Sequence, residues 1–445
     1  MDEYIEKLMK AAAEKGISEA EVYLADSDSF RAMCQQGSIS NYTVNSTKGL
    51  SLRGIVNGRM GYAATEAFDD ESVDQLVTAV IESAELSEEE GTAEIYPGDA
   101  DYPDVNNYKE ELDLVTPQEK LDYILAAEKN LLSGDDRIKA ATYNMISTAS
   151  AGVRIVNSRG LDLSTRDNYC VTFLNALAKD GSKTASAGVL KAGRTFDPEN
   201  ARLSAEEARE KALFMLDAEP VPTGEYRTIF DPYAMSDLLS VFSVIFSAEN
   251  AQQNMSLLKD KEGQVIASDK VTLIDDPLLP GGFATRGFDD EGVRTCTREI
   301  VRDGVFVTLL HNLKTARKAG VSSTGNAHKG SYSAPVRVAP SNFFFKPGEK
   351  SLEQLMEDMG SGLVITEVSG LHAGANTVSG DFSLIAEGYT VTDGKKDRPV
   401  DRITVAGNFY RLLQSVRAVG NDLVFPGSSV GSPSVDVGEL RIAGK

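Results

Sequence analysis

Three histidines, His311, His328 and His372, are the first residues to weigh for chemistry. A zincin-type site needs two histidines one helical turn apart, so that both imidazoles reach one ion, with a glutamate beside them as base. No pair here is close enough in sequence to share a turn. His372 lies in the glycine-rich stretch Gly370-Leu371-His372-Ala373-Gly374 and reads as a loop side chain without a partner. The segment Gly427-Ser428-Ser429-Val430-Gly431 matches GxSxG. A nucleophile elbow, however, needs a strand before it, a helix after it and a later histidine. Pro433 follows instead, and no histidine lies beyond His372, so the match is read as chance. Ser256-Leu257-Leu258-Lys259 matches SxxK but lacks its companion motifs. No phosphate-cradling GxxxxGK[ST] or strand-borne GxGxxG occurs, so nucleotide binding has no support. The acidic run Phe288-Asp289-Asp290-Glu291-Gly292 lacks the ligand spacing of a calcium loop and reads as a turn before a strand from Val293 to Ile300.

Composition narrows the partners. Against 45 Lys and Arg stand 67 Asp and Glu, a formal charge of −22, with no basic run to offset it. Such a surface repels phosphate backbones, and no nucleic-acid partner is expected. Cys34, Cys170 and Cys296 are odd in number and far apart, which suggests neither a disulfide framework nor a metal knuckle. Reduced thiols fit a cytoplasmic location. The acidic opening Met1-Asp2-Glu3-Tyr4 lacks the features of a signal peptide. The longest apolar stretch, Leu238 to Phe246, is too short to span a bilayer, and no membrane association is expected.

The elements that must position any site follow from periodicity. Residues 2–15 have helical spacing through Ile5, Leu8 and Ala12. From Glu19 to Thr65 the pattern turns to strand, with Gly37, Gly49, Gly54, Gly58 and Gly61 placed like hairpin turns. Asp69 or Asp70 caps a helix beyond. Residues 82–113, with Glu88-Glu89-Glu90-Gly91, read as an acidic, solvated connector. A helix is expected near 117–133, strands from about Ala140 to Leu190, and a helix over 200–217. Gly152–Gly160 loosely echoes Gly49–Gly58, which hints at two sheet-plus-helix halves of one domain. The break at Glu219–Gly224 places a domain boundary. Beyond it, Asp231-Pro232 opens a helix that is apolar through Phe246 and so buried. Short strands follow, with further helices near 351–359 and 408–417. The fold class is α+β. Residues 1–218 form an N-terminal α/β domain with an antiparallel sheet, and residues 219–445 form a mainly-β C-terminal domain around a buried helix.

The C-terminal half also carries a series of recognisable words. They are Phe288-Asp289-Asp290-Glu291-Gly292-Val293-Arg294-Thr295, Ala316-Arg317-Lys318-Ala319-Gly320 and Ser323-Thr324-Gly325-Asn326-Ala327. Thr366-Glu367-Val368-Ser369-Gly370, Val378-Ser379-Gly380-Asp381-Phe382-Ser383, Glu387-Gly388-Tyr389 and Arg398-Pro399-Val400 follow. Ile403-Thr404-Val405-Ala406-Gly407-Asn408, Val419-Gly420-Asn421-Asp422 and Arg441-Ile442-Ala443-Gly444 complete the set. In this order and spacing they resemble the TldD/PmbA family, on its PmbA/TldE branch.

The resemblance implies a cytoplasmic heterodimer that degrades or trims unfolded peptides, in a family linked to peptide maturation, antitoxin turnover and modulation of DNA gyrase. In the TldD branch the buried helix bears HExxxH, and a late cysteine completes a zinc site. Here Ser247 and Gln252 stand at the places of the two histidines, Ala248 at that of the glutamate, and Val430 near that of the cysteine. These side chains cannot rebuild a tetrahedral zinc site. The resemblance therefore implies a chain with no catalytic residue and no cofactor of its own, pairing with a zinc-bearing TldD-like subunit, or with itself when alone. Sequence-tolerant peptide capture is well served by strand addition at a sheet edge. Ser323, Thr324, Gly325 and Asn326, or Ser379, Gly380, Asp381 and Phe382, are the expected places for such an edge. Two rival readings are a self-sufficient hydrolase of another mechanism and a non-proteolytic regulator of gyrase or of a toxin–antitoxin pair.

Overall fold

The structure, a computed structural model, describes residues 1–87 and 94–445. Helix α1 (Asp2–Glu14) buries Ile5, Leu8 and Ala12, as its spacing predicts. Then come β1 (Glu19–Gln35), β2 (Ser38–Val56), β3 (Arg59–Thr65) and α2 (Asp70–Glu85). The same succession returns in α3 (Pro117–Leu132), β4 (Ile138–Asn157), β5 (Asp162–Asp180), β6 (Lys183–Gly193) and α4 (Asn200–Met215). Asp69 is the cap of α2, accepting from the Ser72 N–H at 2.8 Å, and Thr116 with Pro117 opens α3.

The six strands make one antiparallel sheet in the order β3-β2-β1-β4-β5-β6. Period-two alternation sorts its faces. Val22, Leu24, Leu50 and Leu52 pack under α1 and α2, while Phe30, Ala32 and Cys34 continue the same face under α3. The intervening Glu21, Tyr23, Ser51 and Arg53 point to the opposite face, toward the second half of the chain.

Two helix–three-strand–helix halves thus meet at the β1–β4 pairing. The echo noted in the sequence does not join equivalent strands, however: Gly49–Gly58 runs along the end of β2, and Gly152–Gly160 ends β4. Both flank the same stretch of β1, with Ala25 opposite Gly49 on one side and Val153 on the other. Of the five glycines read as turns, only Gly37 and Gly58 occupy them, with φ of 72° and 79°. Gly49, Gly54 and Gly61 lie inside strands, where they let other elements approach. A Cβ on Gly61 would stand 1.9 Å from the Val80 carbonyl oxygen of α2.

The solvated-connector reading of residues 82–113 needs correction. Glu88–Gly91 lies outside the described residues, and the described remainder is docked. Ile95 is fully buried, Tyr102 donates to the Gly292 carbonyl at 2.8 Å, and Asp99 accepts from the Arg294 N–H at 2.8 Å. Asn107 donates to the Gly282 carbonyl at 3.0 Å. The segment is a strap across the second half, because its tyrosine and Asx side chains find backbone partners there.

The second half is built on β7 (Gly224–Phe230), α5 (Pro232–Phe242), β8 (Gly362–Ser369), β9 (Asp381–Thr392), β10 (Lys395–Asn408) and β11 (Val435–Ala443). Their order is β10-β9-β8-β7-β11, and β10 pairs again with β11, closing a barrel. Asp231 caps α5 through the Ala234 N–H at 2.9 Å, with Pro232 at its first turn. The helix is buried through Leu238, Leu239 and Phe242, and Phe242 stacks on Phe409 with centroids 4.6 Å apart. Helices Leu352–Met359 and Phe409–Ser415 stand where expected. Two local expectations change. The apolar helix ends at Phe242 and passes through a 3-10 turn into an extended Ser247, because the chain there exchanges backbone hydrogen bonds with Leu310. The strand expected from Val293 begins only at Arg298, since Arg294 is tied back to the strap and to Phe288. Among the described residues no helix is long and apolar enough to cross a membrane.

Gly61→Val should cost ~1–3 kcal/mol by forcing α2 off β3. Gly330→Ala, where nothing lies within 4 Å of the new methyl, should stay within about 0.5 kcal/mol. Urea unfolding followed by circular dichroism measures both.

Candidate functional site

The four residues that the resemblance sets at the places of zinc ligands are in packing roles. Ser247 is buried and extended, and it precedes the short helix α6 (Ala248–Gln252). Ala248 is fully buried, and its N–H donates to the Leu310 carbonyl at 2.9 Å. The Gln252 amide donates to the Thr315 carbonyl at 2.8 Å, tying α6 to α7 (Leu313–Ala319). Val430 is buried and pairs in parallel with Phe343, whose ring packs on Phe246 at 5.4 Å. One hydroxyl, one amide already engaged and two hydrocarbon side chains do not fit zinc, which takes thiolate, imidazole or carboxylate. Among the described residues no group of three or more His, Cys, Asp or Glu is arranged to hold a metal ion. Glu249 accepts a long 3.4 Å bond from the Val338 N–H.

Neither stretch expected as a peptide-accepting edge is a free one. Thr324 and Asn326 are buried, and their polar atoms are spent internally. Thr324 donates to the Asn326 side-chain oxygen at 2.6 Å, and the Asn326 amide donates to Asp275 at 2.8 Å. Ser323 donates to the His311 carbonyl at 3.1 Å, and Gly325 turns the loop at φ 75°. Ser379 and Gly380 form the turn into β9, with Gly380 at φ 84°. Asp381 and Phe382 pair with Asn408 and Gly407 of β10, and Phe382 also bridges to Ala375 on its other side. Barrel closure explains this: a closed barrel leaves no edge at β9.

The histidines stay apart in function. His311 is buried with its Nδ1 unpartnered, and burial lowers its pKa. His328 stands 3.6 Å from Asp290 with an exposed ring, and His372 is exposed on a short helix. Ser429 gives only its carbonyl, to the Phe343 N–H at 2.8 Å. Ser256 donates to the Ile245 carbonyl at 2.6 Å.

The chemistry-bearing groups gather instead where the two halves meet. The acidic run 289–291 is the centre of that junction. Asp289 accepts three backbone N–H groups, from Glu291, Val293 and Ala327. Asp290 accepts from Tyr23 at 2.9 Å, from Arg286 at 2.7 Å and from the Lys329 N–H at 2.7 Å. Glu291 holds Arg53 at 3.2 Å, and Glu21 holds it from the other side at 2.7 Å. A cavity of about 380 Å³ opens beside this network.

A second, larger cavity of about 780 Å³ lies between α4 and the barrel. Asp237, Glu367 and Glu387 line it, with Lys396 set over the rings of Phe214 and Tyr389 at 3.9 and 4.7 Å. Burial, then the charge of Glu367, pushes Asp237 up to about 6. The same two causes, with Asp401 beyond, push Glu387 up to about 7. Sequence reasoning missed Arg53, Lys329, Asp237 and Lys396. Glu367 and Glu387 lay within the recognisable words, which was the available signal for the larger cavity.

Family models match in three pieces: residues 20–84 as PmbA/TldA metallopeptidase domain 1, 110–216 as its central domain and 223–444 as its C-terminal domain. A metalloprotease of Methanocaldococcus jannaschii is 27% identical over 433 residues, covering 94% of this chain and 92% of that one. A Thermotoga maritima structure described as a candidate modulator of a DNA gyrase superposes with a TM-score of 0.92 at 30% identity, over 99% of this chain and 100% of that one. TldE of Thermococcus kodakarensis shares the fold with a TM-score of 0.90 at 24% identity, again over 99% and 100% of the two chains.

The raised Glu387 gives a pH prediction. A carboxyl whose pKa is higher folded than unfolded keeps its proton longer in the native state, so stability falls as pH climbs from the ordinary 4.5 to about 7. Glu387→Gln removes that loss. Because the group is only partly buried, the variant should gain on the order of 1 kcal/mol relative to wild type between pH 4.5 and 8. Denaturant unfolding at the two pH values measures this, and parallel behaviour of both proteins would mean that burial and the neighbouring carboxylates do not raise Glu387.

Proposed function

The chain belongs to the PmbA/TldD metallopeptidase family, and from that premise we propose that it is the non-catalytic, TldE-like subunit of a cytoplasmic two-chain metallopeptidase acting on unfolded peptides. The observation that carries this reading is the donor set at the zinc place. Ser247, Ala248, Gln252 and Val430 offer no soft or imidazole ligand, and Gln252 is committed to Thr315. Zinc, and the water it activates, belong to the TldD-like partner on this reading. This chain contributes binding surface and walls. The acidic surface and the cavities between its halves support binding to peptide and protein rather than to nucleic acid. Without the partner, the chain pairs with itself or stays single.

A second reading is favoured by the gyrase-modulator description of the Thermotoga neighbour: a regulator that acts without proteolysis. A supercoiling assay with gyrase and the purified chain separates the two, since the subunit reading expects no effect from the chain alone.

The direct test is metal analysis and cleavage of an unfolded casein fragment by the purified chain, alone and mixed with a TldD-like chain from the same source. The expected outcome is no stoichiometric zinc and no cleavage alone, with cleavage in the mixture that a chelator abolishes. Stoichiometric zinc in this chain, or chelator-sensitive cleavage by it alone, would sink the subunit reading.

A further inference from the structure

The smaller cavity has one property the rest of the junction lacks. Lys329 lines it, is more than nine-tenths buried, and has no carboxylate within ion-pair distance among the described residues. An ammonium has three N–H groups. Two are used, one to Ser51 Oγ at 2.9 Å and one to Tyr62 Oη at 3.1 Å. The nitrogen also sits over the rings of Tyr23 and Tyr62, at 4.3 and 4.9 Å from their centroids. Arg53, on the same wall, spends Nε on Glu21 and Nη1 on Glu291, and leaves Nη2 buried without a partner.

Asp290, Glu21 and Glu291 attract the ammonium from a distance, but their oxygens are engaged elsewhere. Glu291 is shared between Arg53 and the Leu313 N–H at 2.9 Å. Asp290 is filled by Tyr23, Arg286 and the Lys329 backbone. Glu21 holds Arg53 and, at 3.3 Å, Asn157. Burial first, and the repulsion of Arg53 second, pull Lys329 down to about 8. An unpaired buried ammonium is costly, and a bound anion would offset that cost.

We propose that this cavity is a binding site for a monocarboxylate, with Lys329 and Arg53 as the anion-holding pair and Met60, Leu313, Pro335 and Val336 as the seat of a short apolar body. Its volume falls within the range of ~300–1,000 Å³ usual for small-ligand sites. Glu21, Glu94, Asp290 and Glu291 also line the cavity, so a dianion such as phosphate meets more repulsion than a single carboxylate held by the two cations. A free small acid and a peptide C-terminus present the same chemistry, and either fits. The site lies wholly within this chain and does not depend on the subunit reading.

The test uses the full-length chain alone, at pH 7, by isothermal titration calorimetry. The probes are N-acetyl-leucine, an unfolded pentapeptide ending in leucine with a free carboxylate, the same pentapeptide as its C-terminal amide, and inorganic phosphate. Binding of either carboxylate, with the amide and phosphate weaker by about tenfold or more, is the expected result. Binding of the acid points to a metabolite source, and binding of the peptide alone points to a chain end. Affinity should fall as pH rises beyond about 8. Lys329→Met should weaken binding by about tenfold or more, with Lys329→Arg restoring part of it. Because Lys329 also braces the junction, a measurement on the wild-type chain guards against misfolding of the variants. Saturating carboxylate should slow acetylation of Lys329 severalfold by mass spectrometry, leaving exposed lysines unchanged. Equal affinity for acid and amide, unaltered binding in a folded Lys329→Met, or no protection of Lys329 would overturn the proposal.

Discussion

Arg53 lies between two carboxylates that come from opposite halves of the chain, Glu21 from β1 beside it and Glu291 from a turn 238 residues away. A guanidinium at this depth is tolerable only if its charge is met on both sides. That condition holds only while the N-terminal sheet rests on the 289–291 turn. The turn is in turn rigid because Asp289 gathers three backbone N–H groups and Asp290 gathers Tyr23, Arg286 and the backbone of Lys329. Docking of the halves, the course of the strap over Gly292 and the cavity beside Lys329 all follow from that one arrangement.

The positions where the resemblance implies zinc ligands show the complementary case, side chains given over to packing. The break at Ser247 lets residues 246–248 bond with Leu310, and Gln252 fastens α6 to α7. Val430 continues an apolar contact through Phe343 to Phe246. Each of these residues is engaged in a structural contact.

The two cavities between the halves have opposite character. The larger one buries Asp237 and Glu387 beside Glu367, and burial first, then that neighbouring charge, pushes both upward. The smaller one holds a buried ammonium, which burial first and Arg53 second pull downward. In a chain with a formal charge of −22, the second condition is the less expected one.

Sequence alone determined what is local. Helical spacing located α1, and cap signals at Asp69 or Asp70, Thr116 and Asp231 marked where helices open, because both signals act within a few residues. Alternation in β1 and β2 fixed which residues share a face, though not what that face would meet. The resemblance rested on words in the second half, and it placed Ser247, Ala248, Gln252 and Val430 where zinc ligands would otherwise be sought. Tertiary structure decided the rest. Gly49, Gly54 and Gly61 read as turns in sequence because a turn and a close approach both require glycine, and only the neighbour tells them apart. Ser323–Asn326 and Ser379–Phe382 read as edges in sequence, but closure of the barrel and the hydrogen bonds of Thr324 and Asn326 use them. Lys329 carried no signal at all. Its burial and missing counter-charge arise from Ser51, Tyr62 and Tyr23, residues more than half the chain away that only folding brings to it.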